Sequence, residues 1–329
     1  MNILKTKEME MGRLDDLNER LKSRMDAADA RLAGRMAALD ARLEGISPSR
    51  QGVEGDARAN ELKSLSNDLA ARGDVVGVDL VFYGYIQPTE TEVTQLFEYV
   101  RRSPVVQDNL SYAEIMNHAR FEYRADSNRK EDDVVNANAG LDEEGKPLIR
   151  LFGGAARIGR VAALSIAAME YGDDANAGQR FIGTLKASQC GNFTVNDGVQ
   201  IVNDAGLVGA LKSDVVITKA KTISAGLMLG IIAHEAGHLS LGHSFSKVNY
   251  YMSNLEVARN REREADSFAS SVIATSPFGE SVLMGTLLWY FVLASQEDGV
   301  RETTHPLSKE RFENLVRANP DLAKALGLQ

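Results

Sequence analysis

Apolar residues along this chain recur mostly at spacings of three and four, which predicts a largely helical protein. The clearest case is the apolar run Ile223–His243. Its members that share one helical face are Ile223, Leu227, Gly230 and Ile231. Further helices are predicted at Glu61–Arg72, Glu90–Arg102, Ala155–Met169 and Val282–Ala294. We expect the last of these to be a buried core helix.

Short apolar runs bounded by turn residues predict a small number of strands. Val75–Ile86 and Leu148–Phe152 have this character. The interval 171–223 contains two more such runs, Asn192–Asn203 and Asp214–Lys219, around a turn at 196–198. Together these elements predict an α+β fold that is rich in helix and has a small sheet.

The N-terminal region contains an eleven-residue repeat over residues 13–45, with apolar positions spaced 3-4-4. The average spacing of about 3.67 predicts a straight or weakly right-handed coiled coil. A lone helix cannot bury such a stripe, so we predict self-association or docking to a protein partner through residues 13–45. An interfacial membrane helix and a solvated single helix are the alternatives. Ser-Pro-Ser at 47–49 ends this helix.

The candidate chemistry begins with the HExxH motif at 234–238. On a helix, His234 and His238 lie one turn apart on the same face, so both imidazoles can bind one metal ion. Glu235 is one residue along, where its carboxylate can act on a metal-bound water without being a ligand. The alternative is a core helix with two hydrogen-bonded histidines, which the rarity of histidine (five in 329 residues) disfavours.

A catalytic zinc site needs three protein ligands and an open fourth position. Ser244 occupies the place of the third histidine in the motif HExxHxxGxxH, which excludes that class of site. His243 lies one residue short and is a poor ligand candidate. Glu262 and Asp266 stand at i and i+4 of a following predicted helix, so we predict one carboxylate on the metal and one behind it. Glu264 faces away from them and is predicted to be a solvated charge.

A third motif, HPxxxxR, spans 305–311, with Pro306 at the first position of a predicted helix. HExxHxxxxH at 234–243, ExxAD at 262–266 and HPxxxxR at 305–311 together resemble the HtpX-like and CAAX-prenyl-protease family of zinc metallopeptidases. The Asn-Ala-Asn-Ala stretch at 136–139 looks like the strand that borders the substrate cleft of that family.

The resemblance implies an α-rich, zincin-like α+β domain that hydrolyses peptide bonds of protein substrates through a zinc-activated water. It implies one zinc ion per chain, with Glu235 as the general base. The implied ligands are His234, His238 and Glu262. Together with the repeat and the Ser-Pro-Ser break, the resemblance predicts four parts: a helical segment 1–47, a linker 48–60, an α/β part 61–130 and a zinc metallopeptidase domain 131–329.

The resemblance also implies roles around the metal. His305 would stabilise the oxyanion, and Asp266 would hold one of the ligand histidines. Asn136 would line the substrate cleft. The interval 171–223 is an insert relative to that family, so it competes with Leu148–Phe152 as the edge that receives substrate.

Composition narrows the choice of partner and compartment. Hydrophobic residues make up 44% of the chain, which is enough for a full core, and the net charge of −9 argues against nucleic acid. A single cysteine, Cys190, excludes an intramolecular disulfide. The start of the chain has no signal-peptide pattern, and the apolar runs Leu227–Ala233 and Val282–Ala294 are shorter than the roughly 20 residues that span a bilayer. We therefore predict a soluble, cytoplasmic protein, with peripheral membrane association as the alternative.

Two other interpretations remain open. Glu262–Ala269 also fits the E-x-x-A-[ND]-x-F-A helix of the ImmA/IrrE type of zinc peptidase, which acts on regulatory proteins. The HPxxxxR element favours the first family. A helix-turn-helix pattern would favour the second, and the sequence shows none. The other interpretation is a non-enzymatic coiled-coil scaffold with a structural zinc site, against which Glu235 argues because such a site needs no base.

Overall fold

The computed structural model describes residues 85–126, 129–187, 192–245, 255–276, 279–296 and 308–325. Those up to residue 319 belong to one compact unit, Val81–Asn319. The predicted elements at 13–45, 48–60 and 61–72 lie outside the described residues, and so do Cys190 and His305. The predicted strand Val75–Ile86 is described only at its last two residues, Tyr85 and Ile86, and these are helical. Self-association through residues 13–45 and the role of His305 therefore stay predictions.

Helices make up most of the described chain. In chain order they are α1 Glu90–Arg101, α2 Pro104–Gln107, α3 Leu110–His118, α4 Gly153–Tyr171, α5 Ala177–Ala187, α6 Val195–Asp204, α7 Asp214–Ser240, α8 Leu255–Thr275, α9 Gly279–Gln296, α10 Ser308–Ala318 and α11 Pro320–Ala325. Short 3-10 turns are present at Lys130–Asp132, Ala210–Lys212 and His243–Phe245. The strands are β1 Arg120–Arg124, β2 Ala137–Leu141 and β3 Pro147–Phe152. The prediction of a helix-rich α+β fold is confirmed.

The sheet has the order β1-β3-β2, so β3 is its central strand. β1 runs parallel to β3, with Phe121 opposite Ile149, and β2 runs antiparallel to it, with Ala139 also opposite Ile149. The β2–β3 hairpin closes at Asp142, whose side chain accepts the backbone N–H of Lys146 at 2.8 Å. α4 begins directly after β3, and β2 lies against α7.

A buried arginine fixes the residues that lead into β2. Arg157 on α4 is fully buried and forms an ion pair with Asp133. It also donates to the carbonyl oxygens of Ala125 and Phe193, each at 3.1 Å. A buried guanidinium is stable only when its donors are satisfied, so this cluster joins the end of β1, the approach to β2 and the insert at one point.

The core is built around α7, a helix of 27 residues that packs against α4, α8 and α9. The prediction of a strand at Asp214–Lys219 is wrong, because these residues are the first turns of α7. Ser213 caps the helix by accepting the N–H of Val216 at 3.4 Å. Val216 and Ala220 are buried at helical spacing and continue the apolar face of Ile223, which keeps the segment in the helix.

The prediction of a strand at Asn192–Asn203 is also wrong. Thr194 accepts the N–H of Asp197 at 3.1 Å, and the Asp197 side chain accepts the N–H of Thr194 at 2.7 Å. This reciprocal cap makes residues 196–198 the first turn of α6 instead of a hairpin turn. Among its described residues, the insert 171–223 contributes no strand to the sheet, only an isolated bridge between Asn192 and Val134.

The length of α7 bears on the expectation that the apolar runs are too short to span a bilayer. Although the run Leu227–Ala233 is short, α7 as a whole is the one helix of the described ranges that is long and apolar enough to cross a membrane. The core helix of a soluble protein meets the same criterion, and 61% of the most apolar window of α7 is buried inside the protein. The cytoplasmic location stays a prediction.

His118 is exposed. It is the last residue of α3, where its Nδ1 lies 2.8 Å from the carbonyl oxygen of Glu114. α3 buries Met116, and the two residues that follow it face solvent.

α7 and α9 approach closely because small residues face each other where they cross. A Cβ added to Gly285 would lie 2.6 Å from the carbonyl carbon of Gly226 and 2.6 Å from the carbonyl oxygen of Ile223. On the other side of the contact, a Cβ on Gly230 would overlap Thr286. Backbone atoms cannot move aside as a flexible side chain can, so this crossing depends on glycine.

We expect Gly285→Ala to lower the free energy of unfolding by about 2 kcal/mol, because overpacking against backbone forces the two helices apart. Gly183→Ala is the matched control, since Gly183 lies in α5 and an added Cβ there meets nothing within 4 Å. It should raise the free energy of unfolding by about 1 kcal/mol through helix propensity alone. Urea unfolding of both variants measures the difference, and equal effects would contradict the close crossing.

Candidate metal centre

α7 and α8 bring three buried donor side chains to one point. His234 and His238 lie one turn apart on α7, with their Nε2 atoms 3.1 Å from each other. Glu262 on α8 faces both, because its Oε2 is 3.2 Å from His234 Nε2 and its Oε1 is 3.4 Å from His238 Nε2. The three side chains form a group that could hold a metal ion, with ligand atoms within 4.8 Å of one another.

Asp266, one turn after Glu262 on α8, holds His234 from behind. His234 Nδ1 donates to Asp266 Oδ1 at 2.9 Å, and the same oxygen accepts the hydroxyl of Tyr290 at 2.9 Å. Arg311 on α10 binds both carboxylate oxygens, with Nε 2.9 Å from Oδ2 and Nη2 2.7 Å from Oδ1. One buried carboxylate therefore joins α7, α8, α9 and α10.

The charges of this cluster favour a cation between the histidines. Burial raises the pKa of Asp266, but the adjacent Arg311 and the hydrogen bond from His234 outweigh it and hold that pKa well below its usual range. Burial lowers the pKa of His234, yet its hydrogen bonds to Asp266 and Glu262 raise it to about 9. The surroundings of His234 thus stabilise positive charge in spite of burial.

The donor set fits a divalent metal. Because His234 Nδ1 donates to the ionised Asp266, the neutral imidazole carries its lone pair on Nε2. That nitrogen points at His238 Nε2 and at the Glu262 carboxylate. Two imidazole nitrogens and a carboxylate oxygen that converge in this way are repelled by one another and attracted by a cation, and they match the His₂Glu set of some catalytic zinc sites.

His238 has its own partner on the side away from Glu262. Its Nδ1 lies 3.1 Å from Nδ1 of His243, and Nε2 of His243 lies 2.9 Å from Oε2 of Glu264. Burial and the neighbouring His238 lower the pKa of His243, against the opposite effect of Glu264. Glu264 is exposed, as predicted for a solvated charge, but its carboxylate also binds a buried histidine, which was not predicted.

A glycine within the HExxH motif sets the distance between the two ligand-bearing helices. A Cβ on Gly237 would lie 3.1 Å from both the Cα and the carbonyl oxygen of Ala265, and 3.1 Å from Cβ of Phe268. α7 and α8 are therefore almost in backbone contact at this point. That close approach lets the short Glu262 side chain reach both histidines on α7.

Glu235 lies between the two histidines in sequence and, unlike them, is partly exposed. Burial raises the pKa of its carboxyl above the ordinary value, although His234 and His238 oppose this shift. A carboxylate with a raised pKa is a stronger base than a free one, which suits a group that must take a proton.

Asn136, which was predicted to line the substrate cleft, immediately precedes the outer strand β2. It is exposed, and its Oδ1 accepts the N–H of Ala137 at 2.9 Å. β2 lies against α7 and against the 3-10 turn His243–Phe245. Asn136 therefore lies at the start of a strand that contacts the helix carrying both histidines, while His305 lies outside the described residues.

The sequence did not indicate the roles of Tyr290, His243 and Glu264. Tyr290 was interpreted as core, and it is indeed buried, but its hydroxyl binds Asp266. Arg311 belonged to the HPxxxxR motif without an assigned partner. A useful signal was available, because a buried tyrosine, arginine or histidine needs a polar partner, and Asp266 is the acidic residue predicted behind the metal.

A search of curated proteins and one of solved structures gave no match for this chain. A family model described as Peptidase U49 matches residues 212–324, a range that begins just before α7 and ends within α11. It contains all three residues of the possible metal site as well as Asp266 and Arg311. The match does not point specifically to the HtpX-like and CAAX-prenyl-protease family. The match supports a peptidase for this region of the chain.

Proposed function

We propose that this protein is a zinc-dependent endopeptidase whose metal is held by His234, His238 and Glu262. The observation that carries the proposal is the convergence of these three buried donors inside the range that matches a peptidase family. Two imidazoles and one carboxylate are the ligands of catalytic zinc sites that keep one position open. Magnesium and calcium prefer oxygen ligands, so they fit this donor set less well.

The metal and the residues around it each have a separate role in the proposed peptide hydrolysis. When bound, zinc supplies a Lewis acid and lowers the pKa of water to about 7. Glu235, partly exposed beside the ligands, takes a proton from the attacking water and later gives it to the leaving amine. Asp266 keeps the proton of His234 on Nδ1, so its Nε2 stays available as a ligand.

Arg311 and Tyr290 keep Asp266 ionised and in place. Tyr290 and Nη2 of Arg311 bind the oxygen that also accepts from His234, and Nε of Arg311 binds the other carboxylate oxygen. Arg311 also lies in the first turn of α10, and the HPxxxxR motif places His305 six residues before it. We propose that His305 faces the scissile carbonyl and stabilises the oxyanion there.

We propose that substrate backbone adds to the edge of β2 that does not face β3. Among the described residues, β3 is the only strand that pairs with β2, and β2 lies against the helix that carries the two histidines. Addition of an extended peptide to a sheet edge uses backbone hydrogen bonds and so tolerates many sequences. Asn136, exposed at the start of β2, would then line the cleft.

We expect the purified protein to cleave casein, to lose this activity when a chelator removes its zinc, and to regain it when zinc is returned. Magnesium should fail to restore cleavage, because the proposed ligands favour zinc. Circular dichroism of the metal-free protein controls for unfolding. Unchanged cleavage by protein shown to contain no zinc would refute the proposed mechanism.

A further inference from the structure

We infer that His243 and Glu264 form a positioning pair for the metal ligand His238, as Asp266 does for His234. The inference rests on the proposed metal function of His238. Neither residue of the pair belongs to the group that could hold the ion. Their effect would pass through the imidazole of His238, whose Nδ1 is 3.1 Å from His243.

The direction of the hydrogen bonds follows from the metal ligand. A histidine that offers Nε2 to a metal carries its proton on Nδ1, so His238 must donate to Nδ1 of His243. His243 can accept at Nδ1 only when its own proton is on Nε2. That nitrogen lies 2.9 Å from Oε2 of Glu264, which accepts this proton in a hydrogen bond. A single arrangement of protons therefore satisfies every nitrogen in the row.

Because His238 is buried, its Nδ1–H needs the hydrogen bond to His243. His238 and His243 are each 8% exposed, so solvent has little access to the N–H of His238. A buried N–H without an acceptor costs about 1–3 kcal/mol, and the ring could rotate to avoid that cost. His243 removes this cost in the orientation that points Nε2 at Glu262 and His234.

The chain reversal after α7 is what folds His243 back onto His238. Gly242 has a φ of 74°, a conformation that favours glycine, and its N–H donates to the carbonyl oxygen of Leu239 at 3.0 Å. His243 follows at once in a 3-10 turn. Ser244 then donates to the carbonyl oxygen of Ala139 at 3.2 Å, which fastens this turn to β2.

His243 and Glu264 should differ in how much each contributes to metal affinity. The side chain of Glu264 is 61% exposed, so water can replace it as the acceptor for His243. His243 is buried, so water has little access to replace it as the acceptor for His238. Loss of an outer hydrogen-bond partner of a metal ligand commonly costs 10–100-fold in metal affinity. We assign that range to His243 and a smaller loss, about threefold, to Glu264.

The test measures zinc affinity by competition with a chromophoric chelator, together with the visible spectrum of the cobalt-substituted protein. His243→Phe keeps a ring but removes the acceptor, and we expect a 10–100-fold weaker affinity and a changed cobalt spectrum. His243→Asn should recover most of the affinity, because its Oδ1 can stand near the place of Nδ1. Glu256→Ala is the control for Glu264→Ala, since Glu256 is on the same helix with a side chain 63% exposed, and it should change nothing.

The outcomes separate this inference from the proposed function. Affinity and cobalt spectrum unchanged in His243→Phe, with His238→Ala unable to bind zinc, would overturn the positioning role and leave the zinc site standing. A loss in His243→Asn as complete as in His238→Ala would also overturn it, because His243 would then act as a ligand. A wild-type protein that binds no zinc would overturn both the inference and the proposed function.

Discussion

Replacement of Glu235 by glutamine is expected to reduce peptide cleavage about 10³-fold while zinc content and fold stay as in the wild type. Glutamine has nearly the same size as glutamate and its side-chain oxygen can still accept hydrogen bonds, but it cannot take a proton at neutral pH. His234 and His238 should keep their orientations, because their Nδ1 atoms bind Asp266 and His243 and not Glu235. The experiment measures casein cleavage, zinc per chain and circular dichroism on one preparation.

Glu235→Asp is the matched control, because it keeps the carboxylate but shortens the side chain. Its activity should lie between those of the wild type and Glu235→Gln, since a displaced base still accepts a proton. If Glu235→Gln lost its zinc, the residue would be a ligand or a structural partner. If it kept near-normal cleavage, another group would have to be the base.

Removal of the third donor by Glu262→Ala is expected to weaken zinc binding by more than about 100-fold, beyond the range seen for residues that only support a ligand. Glu262 contacts both histidine Nε2 atoms, at 3.2 and 3.4 Å, and lies opposite them on α8. Without it the metal would have two protein ligands instead of three. Equilibrium dialysis against a zinc buffer measures the affinity directly.

Glu264→Ala is the comparison for Glu262→Ala, because it removes the same side chain from the same helix two positions later. Its loss of zinc affinity should be a few-fold only, since Glu264 acts on His238 through His243. Equal losses in the two variants, or the reverse order, would contradict the assignment of Glu262 as the third ligand. A thermal melt of each variant shows whether either loss comes from unfolding.

The site was more predictable from the sequence than the insert was, for a physical reason. His234 with His238 and Glu262 with Asp266 each stand one helical turn apart, so each pair is aligned by a single helix. The sequence did not determine how α7 and α8 cross. That crossing depends on the near-contact of Gly237 with Ala265, which no local pattern reveals.

The errors have local causes as well. The insert contains apolar residues at spacings that suit a strand or a helix, and the choice was made by the caps at Thr194 and Ser213. The binding of His243 to Glu264 was missed because the two lie on different elements, 21 positions apart. Within the helical pattern that surrounds each of them in the sequence, neither residue has a visible partner.

The most direct test of the central claim is a crystal structure of the zinc-loaded protein with diffraction data on both sides of the zinc absorption edge. We expect one anomalous peak per chain, within bonding distance of Nε2 of His234, Nε2 of His238 and a carboxylate oxygen of Glu262, at about 2.0–2.2 Å. A peak bound to other residues, or no peak in crystals of protein that cleaves casein, would contradict the account.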